Sequence, residues 1–452
     1  MVNRSKKQNN KKNRKSKIKG GNPLKKDSLC SEITTLTGHL GYVASVAFHP
    51  TKPFLATGSY DKSVNLWMVS PGNPSTSPLD SLSGHRACVE CVAFHPRDNL
   101  LVSGSSDRTV KLWKFRPDGT DGECIDTLSD HKDKVVSVAF HPKGHLLATG
   151  SWDNTTKLWR SGPDGFQCIS NLIGHTGWVK SVAFQPNGNL LATGSNDKTV
   201  RLWRLSDENS SAVCVATLPG HTDWISSVAF HPSGNLLATG SWDETVKLWR
   251  IRPDGSVEHN PVDTLKGHTN HVNSVSFHPS GKYLATGSTD KTVKIWRLSP
   301  ELSNAECIDT LEAHRSNVTS VTFHPNGKLL ATASIDYTAK VWDCHKLSTE
   351  SERLQALTRG SLATEVIKGL TESPVWQYQG TKSKMEMNIH NRVGTVPITP
   401  ANGPEIIGEQ YKNLGPRLSV LDDSTKEKME EVDGGARSRR KYKNKPTKMT
   451  WN

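Results

Sequence analysis

The sequence predicts an all-β protein, a seven-bladed β-propeller flanked by two tails, and three observations predict it. A histidine recurs at His39, His85, His131, His175, His221, His268 and His314, at intervals of 46, 46, 44, 46, 47 and 46 residues. An aspartate follows each by 22 residues (Asp61, Asp107, Asp153, Asp197, Asp243, Asp290, Asp336), and a tryptophan stands six residues further on (Trp67, Trp113, Trp159, Trp203, Trp249, Trp296, Trp342). Within each unit the segments between these landmarks read as four short strands, and such a unit is a propeller blade.

The elements of the first unit follow in order. Residues 43–48 carry β-branched and aromatic residues, a His-Pro turn follows, and residues 54–59 form a second strand. The Asp61 turn leads into a third strand over 64–67. The fourth lies just before the next histidine, where a leucine always stands three residues upstream: Leu36, Leu82, Leu128, Leu172, Leu218, Leu265, Leu311. Length varies only after each tryptophan, so that stretch is a loop.

Units such as GHTDWISSVAFHPSGNLLATGSWDETVKLW closely resemble the WD-repeat family, and seven copies cover residues 31–343. Two departures stand out. Asp130 and Ala313 replace the glycine before the histidine, and only Trp342 is followed by aspartate, Asp343. The resemblance implies that residues 33–36 supply the missing fourth strand of the last blade, closing the ring. It also implies a hydrogen-bonded chain in every blade from aspartate to histidine, to a strand serine (Ser59, Ser105, Ser151, Ser195, Ser241, Ser288, Ser334) and to the tryptophan. A His-Asp-Ser set invites a catalytic reading, but a set present in every unit is a structural device.

No cofactor or metal site is expected. Thirteen of the eighteen histidines belong to the repeat or its His-Pro turns, where Gln185 takes the seventh place. Cys88 and Cys91 have Cys-x-x-Cys spacing but lack a second pair, so zinc is not indicated. Cys124, Cys168, Cys214 and Cys307 each precede a repeat histidine by seven residues, too far apart in the ring to pair with one another. They read as small buried hydrophobes of a reducing compartment.

Function should lie where the sevenfold pattern breaks. Trp152 and Trp242 stand just before a turn aspartate, and Trp178 and Trp224 three residues after a histidine. In the family both positions project onto the usual partner-binding face, which makes a one-sided crescent on blades three to five. Tyr42, Tyr60 and His271 hold equivalent positions, and Lys180 and Lys134 beside the tryptophans favour an acidic or phosphate-bearing partner. Clustered aromatics are typical of interface hot spots. The alternative is that each indole lies half buried on its neighbouring blade.

The tails carry the charge. Residues 1–28 hold eleven Lys and Arg against one acid, and the last seventeen residues hold seven against none. These ends take +10 and +7 of the formal +13, leaving residues 29–435 near −4. The segment containing Lys11, Lys12, Arg14 and Lys15 is expected to be disordered, and Arg439, Arg440 and Lys441 belong to the second basic cluster. Thr349 with Glu352 could cap a short helix carrying Leu354, Leu357 and Val366 at the start of a C-terminal extension, 346–452, beyond the propeller of 29–345.

The chain has no apolar run long enough to span a membrane and no secretory signal, so a soluble protein of cytoplasm or nucleus is expected, monomeric on its own. Three functions remain open: a non-catalytic scaffold for one or more proteins, a ribonucleoprotein or chromatin factor whose tails bind nucleic acid non-specifically, and an enzyme at the propeller mouth. The first is preferred, because no asymmetric cluster of acid, base or nucleophile is visible.

Overall fold

The computed structural model describes residues 28–347 and 349, apart from 71–72, 164, 207–210 and 253–254. Each repeat forms an antiparallel sheet whose strands run outward from the axis in sequence order. In the first blade these are Val43–Phe48, Phe54–Ser59, Ser63–Ser70 and Asp80–Ser83, with a two-residue strand, Asn73–Pro74, also paired to the third. Among the described residues no helix is long and apolar enough to cross a membrane.

The second strands explain the packing. Leu146–Ser151 and Leu190–Ser195 are buried at every residue, because neighbouring blades cover both of their faces. The core is accordingly distributed between blades. Phe54, Leu66 and Leu82 of blade one pack with Val89, Phe94 and Trp113 of blade two, and Leu36 and Phe48 pack with Leu329 and Val341 across the closing junction.

Closure is by the N-terminal strand, Ser31–Thr37, which pairs antiparallel with Thr338–Asp343 of the last blade. Lys340 Nζ meets Glu32 at 2.7 Å, and the Leu29 N–H donates to Asp309 of blade six at 2.7 Å. Here the cysteine expectation needs correcting, since Cys30 and Cys344 form a disulfide that joins the two ends of the ring. Their pairing was invisible in the sequence because 314 positions separate them. Replacing Cys30 by Ser is expected to lower stability by about 2–4 kcal/mol under oxidising conditions. Denaturant unfolding should show no such difference in the presence of reductant.

The other recurring cysteines also differ from expectation. Cys124 and Cys307 are exposed, and Cys168 and Cys214 are half buried. Each sits opposite a repeat tryptophan at a bulge in the outer strand, its thiol directed at the carbonyl two residues on, 3.4–3.8 Å away. Their recurrence therefore reflects a local hydrogen bond to a bulged backbone.

The expected helix start also moves. Residues 345–347 are already helical, Asp343 Oδ1 accepts from the His345 N–H at 2.9 Å, and the Thr349 hydroxyl donates back to the His345 carbonyl. Asp343 rather than Thr349 thus caps this turn, and Leu347 is buried in the core beside Cys30. Glu352, Leu354, Leu357 and Val366 lie outside the described residues, as do the basic clusters with Lys11, Lys12, Arg14, Lys15, Arg439, Arg440 and Lys441.

Two sets of inter-blade hydrogen bonds had no sequence signal. On the innermost strands Ser45, Ser137, Ser181, Ser227, Ser274 and Ser320 each accept a backbone N–H from a valine of the next blade, with buried Cys91 in the seventh place. In the His-Pro turns the Nε2 of His95, His141, His231 and His278 donates to a glycine carbonyl one blade on, and Gln185 Nε2 does the same. Gly188 illustrates why glycine is needed there: its φ is +82°, and a Cβ would run into the His141 ring.

Burial pushes His49 and His141 down to about 4. A histidine so lowered holds fewer protons folded than unfolded, so stability is full above its ordinary value of about 6.5 and falls as pH drops from there toward 4. His141→Gln, which copies the Gln185 arrangement, is expected to keep the bond to Gly188 while flattening part of that fall. Thermal melts between pH 7 and pH 4 test this, and an unchanged pH profile would contradict it.

Candidate protein-interaction face

The loops that carry the crescent are held by the repeat network. In blade one the His39 Nδ1–H donates to Asp61 at 2.7 Å, and Nε2 accepts from the Thr57 hydroxyl at 2.7 Å. The Trp67 indole N–H donates to the same hydroxyl at 2.8 Å. The linking residue is therefore a threonine, and its equivalents are Ser103, Thr149, Thr193, Thr239, Thr286 and Thr332.

This corrects the role implied for the strand serines. Ser59, Ser105, Ser151, Ser195, Ser241, Ser288 and Ser334 each accept the backbone N–H of the turn aspartate, at 3.0–3.1 Å. In a strand, residues two apart share a face, so sequence spacing alone could not tell which hydroxyl meets the imidazole. The histidine Nε2 that a Ser-His triad would direct at a serine nucleophile is engaged by the threonine instead. Blades with Asp130 and Ala313 keep the arrangement, with His131 and His314 at 2.7 and 3.0 Å from their aspartates.

Each aspartate joins two loops. Asp243 Oδ1 accepts from the Thr245 hydroxyl at 2.6 Å and Oδ2 from the Thr222 N–H at 3.1 Å, in addition to His221. Burial alone would raise its pKa, but these donors, His221 foremost, hold the carboxyl well below the usual range. The backbone N–H before each aspartate then bonds the carbonyl of the residue three past the histidine, as Trp242 does to Trp224 at 2.9 Å. The two pattern-breaking positions of a blade are thereby made neighbours.

The aromatic residues on these positions form a ladder. Trp152 of blade three stacks parallel on Trp178 of blade four, with centroids 3.8 Å apart. Trp178 meets Trp224 at 5.9 Å, Trp224 meets Trp242 at 4.3 Å, and Trp242 stacks on His271 of blade six at 4.4 Å. All five rings are half buried. Lys134 and Lys180 place Nζ 4.4 and 5.4 Å from the Trp152 centroid.

Tyr42 and Tyr60 belong to a separate group on blades seven and one. Both are 40% exposed, and Tyr42 stacks on Tyr337 at 5.6 Å. Tyr337, 48% exposed, and Leu40, 90% exposed in the loop that carries Tyr42, escaped the sequence reading. The available signal was that the position after the turn aspartate, which takes φ of about +70° in every blade, is otherwise Lys, Arg, Asn or Glu.

A family model described as WD domain, G-beta repeat matches residues 30–68, 76–114, 122–160, 166–204, 212–250, 259–297 and 305–343. The chain belongs to the WD-repeat family. The matched segments are the seven blades, each running from an outer strand of one sheet into the three inner strands of the next, as the closing strand requires. No curated protein matches the chain significantly. WD-repeat propellers typically bind other proteins, and the face carrying the Asp turns is where tryptophans break the sevenfold pattern of this WD-repeat chain. Among its described residues no group of three or more His, Cys, Asp or Glu is placed to hold a metal.

Proposed function

We propose that the protein is a non-catalytic scaffold that holds a protein partner on the aromatic ladder of blades three to six. The observation that carries this reading is the unbroken contact from Trp152 through Trp178, Trp224 and Trp242 to His271, each ring partly exposed. Large, rigid rings with few rotatable bonds bind at low entropic cost, and the threonine-centred network preorganises the loops that present them.

The experiment is crosslinking and mass spectrometry of the full chain beside Trp178→Ala/Trp224→Ala. Loss of the crosslinked partner with a stability loss of no more than about 1–3 kcal/mol, the cost of two half-buried stacked rings, supports the reading. A collapse in stability would make the ladder a packing device, and an unchanged partner set would place binding elsewhere.

The charge of the two ends favours a second reading, a nucleic-acid-associated factor. Co-purifying material lost on nuclease treatment, with binding that falls steeply as salt rises, would support it.

A further inference from the structure

We infer that the mouth of the propeller at blades three and four receives an anionic side chain of the bound protein, a carboxylate or phosphate held by Lys134 and Lys180 against Trp152. The inference rests on the ladder being the partner's seat and names the chemistry that seat selects.

Two ammonium groups lie over one ring here without an acceptor. Lys134 and Lys180 place their ammonium groups 4.4 and 5.4 Å from the Trp152 ring, and neither has a hydrogen-bond or ion-pair partner among the described residues. The Trp152 indole N–H is also buried without a partner. Glu90 is the carboxylate that acts on Lys180, but its oxygens are engaged elsewhere, accepting from the Ser106 hydroxyl at 2.6 Å and the Tyr60 hydroxyl at 3.1 Å.

Lys180 is the second residue of its innermost strand. Around the ring this position varies, with Ala44, Glu90 and Val136 holding it in blades one to three. The equivalent residues of blades five to seven, Ser226, Asn273 and Thr319, each donate to a backbone carbonyl of the next blade. Those positions close the inter-blade seam, whereas Lys180 turns an unpaired cation toward the tryptophans. Burial lowers its pKa, Glu90 opposes that and Lys134 adds to it. Holding two like charges together over one ring is costly, and cation–π attraction offsets only part. An anion between them removes the repulsion and gives the two ammonium groups an acceptor, while Trp178 offers apolar surface to the flanking residues of the same peptide.

The test is a peptide array probed with the full chain. Twelve-residue peptides carry Glu, Gln, phosphoserine or Ser at the centre of otherwise shared apolar-aromatic sequences, and binders are then measured by fluorescence anisotropy. Wild type is expected to prefer an anionic centre by at least about tenfold over its neutral counterpart. The Glu/Gln and phosphoserine/Ser pairs separate carboxylate from phosphate. Lys134→Met/Lys180→Met, which keeps the aliphatic stems over Trp152, should abolish the preference, and Lys180→Arg should retain it. Melting curves establish that the variants are folded.

A preference that persists in the Met double variant would assign the attraction to the basic tails and overturn the inference, as would equal binding of all centres or no binding at all. Trp178→Ala/Trp224→Ala separates the two levels. If it weakens every peptide while charge preference is absent, the ladder reading stands and only the anion site falls. If it changes nothing, the seat itself is wrong.

Discussion

Deleting residues 1–37 is expected to destroy the cooperative fold. The strand Ser31–Thr37 supplies the outer edge of the last blade, inserts Leu36, only 1% exposed, into the closing core, and brings Cys30 to Cys344. Its removal exposes the Thr338–Asp343 backbone as an unpaired edge and unties blade seven from blade one. The loss should reach at least about 4–5 kcal/mol, a large fraction of the stability of an ordinary domain. Thermal unfolding should lose its sharp transition, and light scattering should report association through the open edge. A synthetic peptide spanning residues 28–38 should restore part of the transition in trans. A truncated chain that melts like the full one would show that the ring does not depend on this strand.

The second large effect concerns the network hydroxyl. Thr239→Val removes the group that donates to His221 Nε2 and accepts from the Trp249 indole at 3.0 Å. Thr239 is fully buried, so both nitrogens lose their partner where water does not reach. Each orphaned group costs about 1–3 kcal/mol, giving roughly 2–6 kcal/mol in all. Ser241→Ala, at the serine that the family resemblance placed in the chain, frees only the Asp243 N–H and the Asp223 carbonyl from side-chain bonds. It should cost about half as much or less. Thr239→Ser should be nearly neutral, since Ser103 fills this position in blade two. Denaturant unfolding of the three variants gives the order, and a serine effect larger than the threonine effect would refute the assignment.

The same network sets the acid limit of the fold. Asp107, Asp153, Asp197, Asp243, Asp290 and Asp336 are all held below the usual carboxylate range: burial works against this, and hydrogen bonds led by their histidines outweigh it. A carboxyl lowered on folding stabilises above its unfolded value of about 4 and loses that contribution as pH falls further. Stability should therefore decline gently below pH 6.5 through His49 and His141, then steeply below about 4. Calorimetric melts across that range would show the two stages.

What the sequence determined by itself was everything carried by period and spacing. Invariant offsets from His39 to Asp61 to Trp67, repeated seven times, specify blade and ring, because each unit can bury its faces only against a neighbour, and the family resemblance adds the closing strand. Pattern breaks likewise marked Trp152, Trp178, Trp224 and Trp242 as a one-sided group. The tertiary structure alone decided which atoms meet. Thr57 rather than Ser59 reaches His39, since both alternate onto the same strand face and only packing selects between them. Cys30 finds Cys344, and Tyr42 finds Tyr337, across the full length of the ring. Glu90 bonds to Ser106 and Tyr60, and the Lys180 ammonium is left without an acceptor. Periodicity is local information that a chain displays along its length, whereas hydrogen-bond choice and charge pairing depend on distances that exist only once the ring has closed.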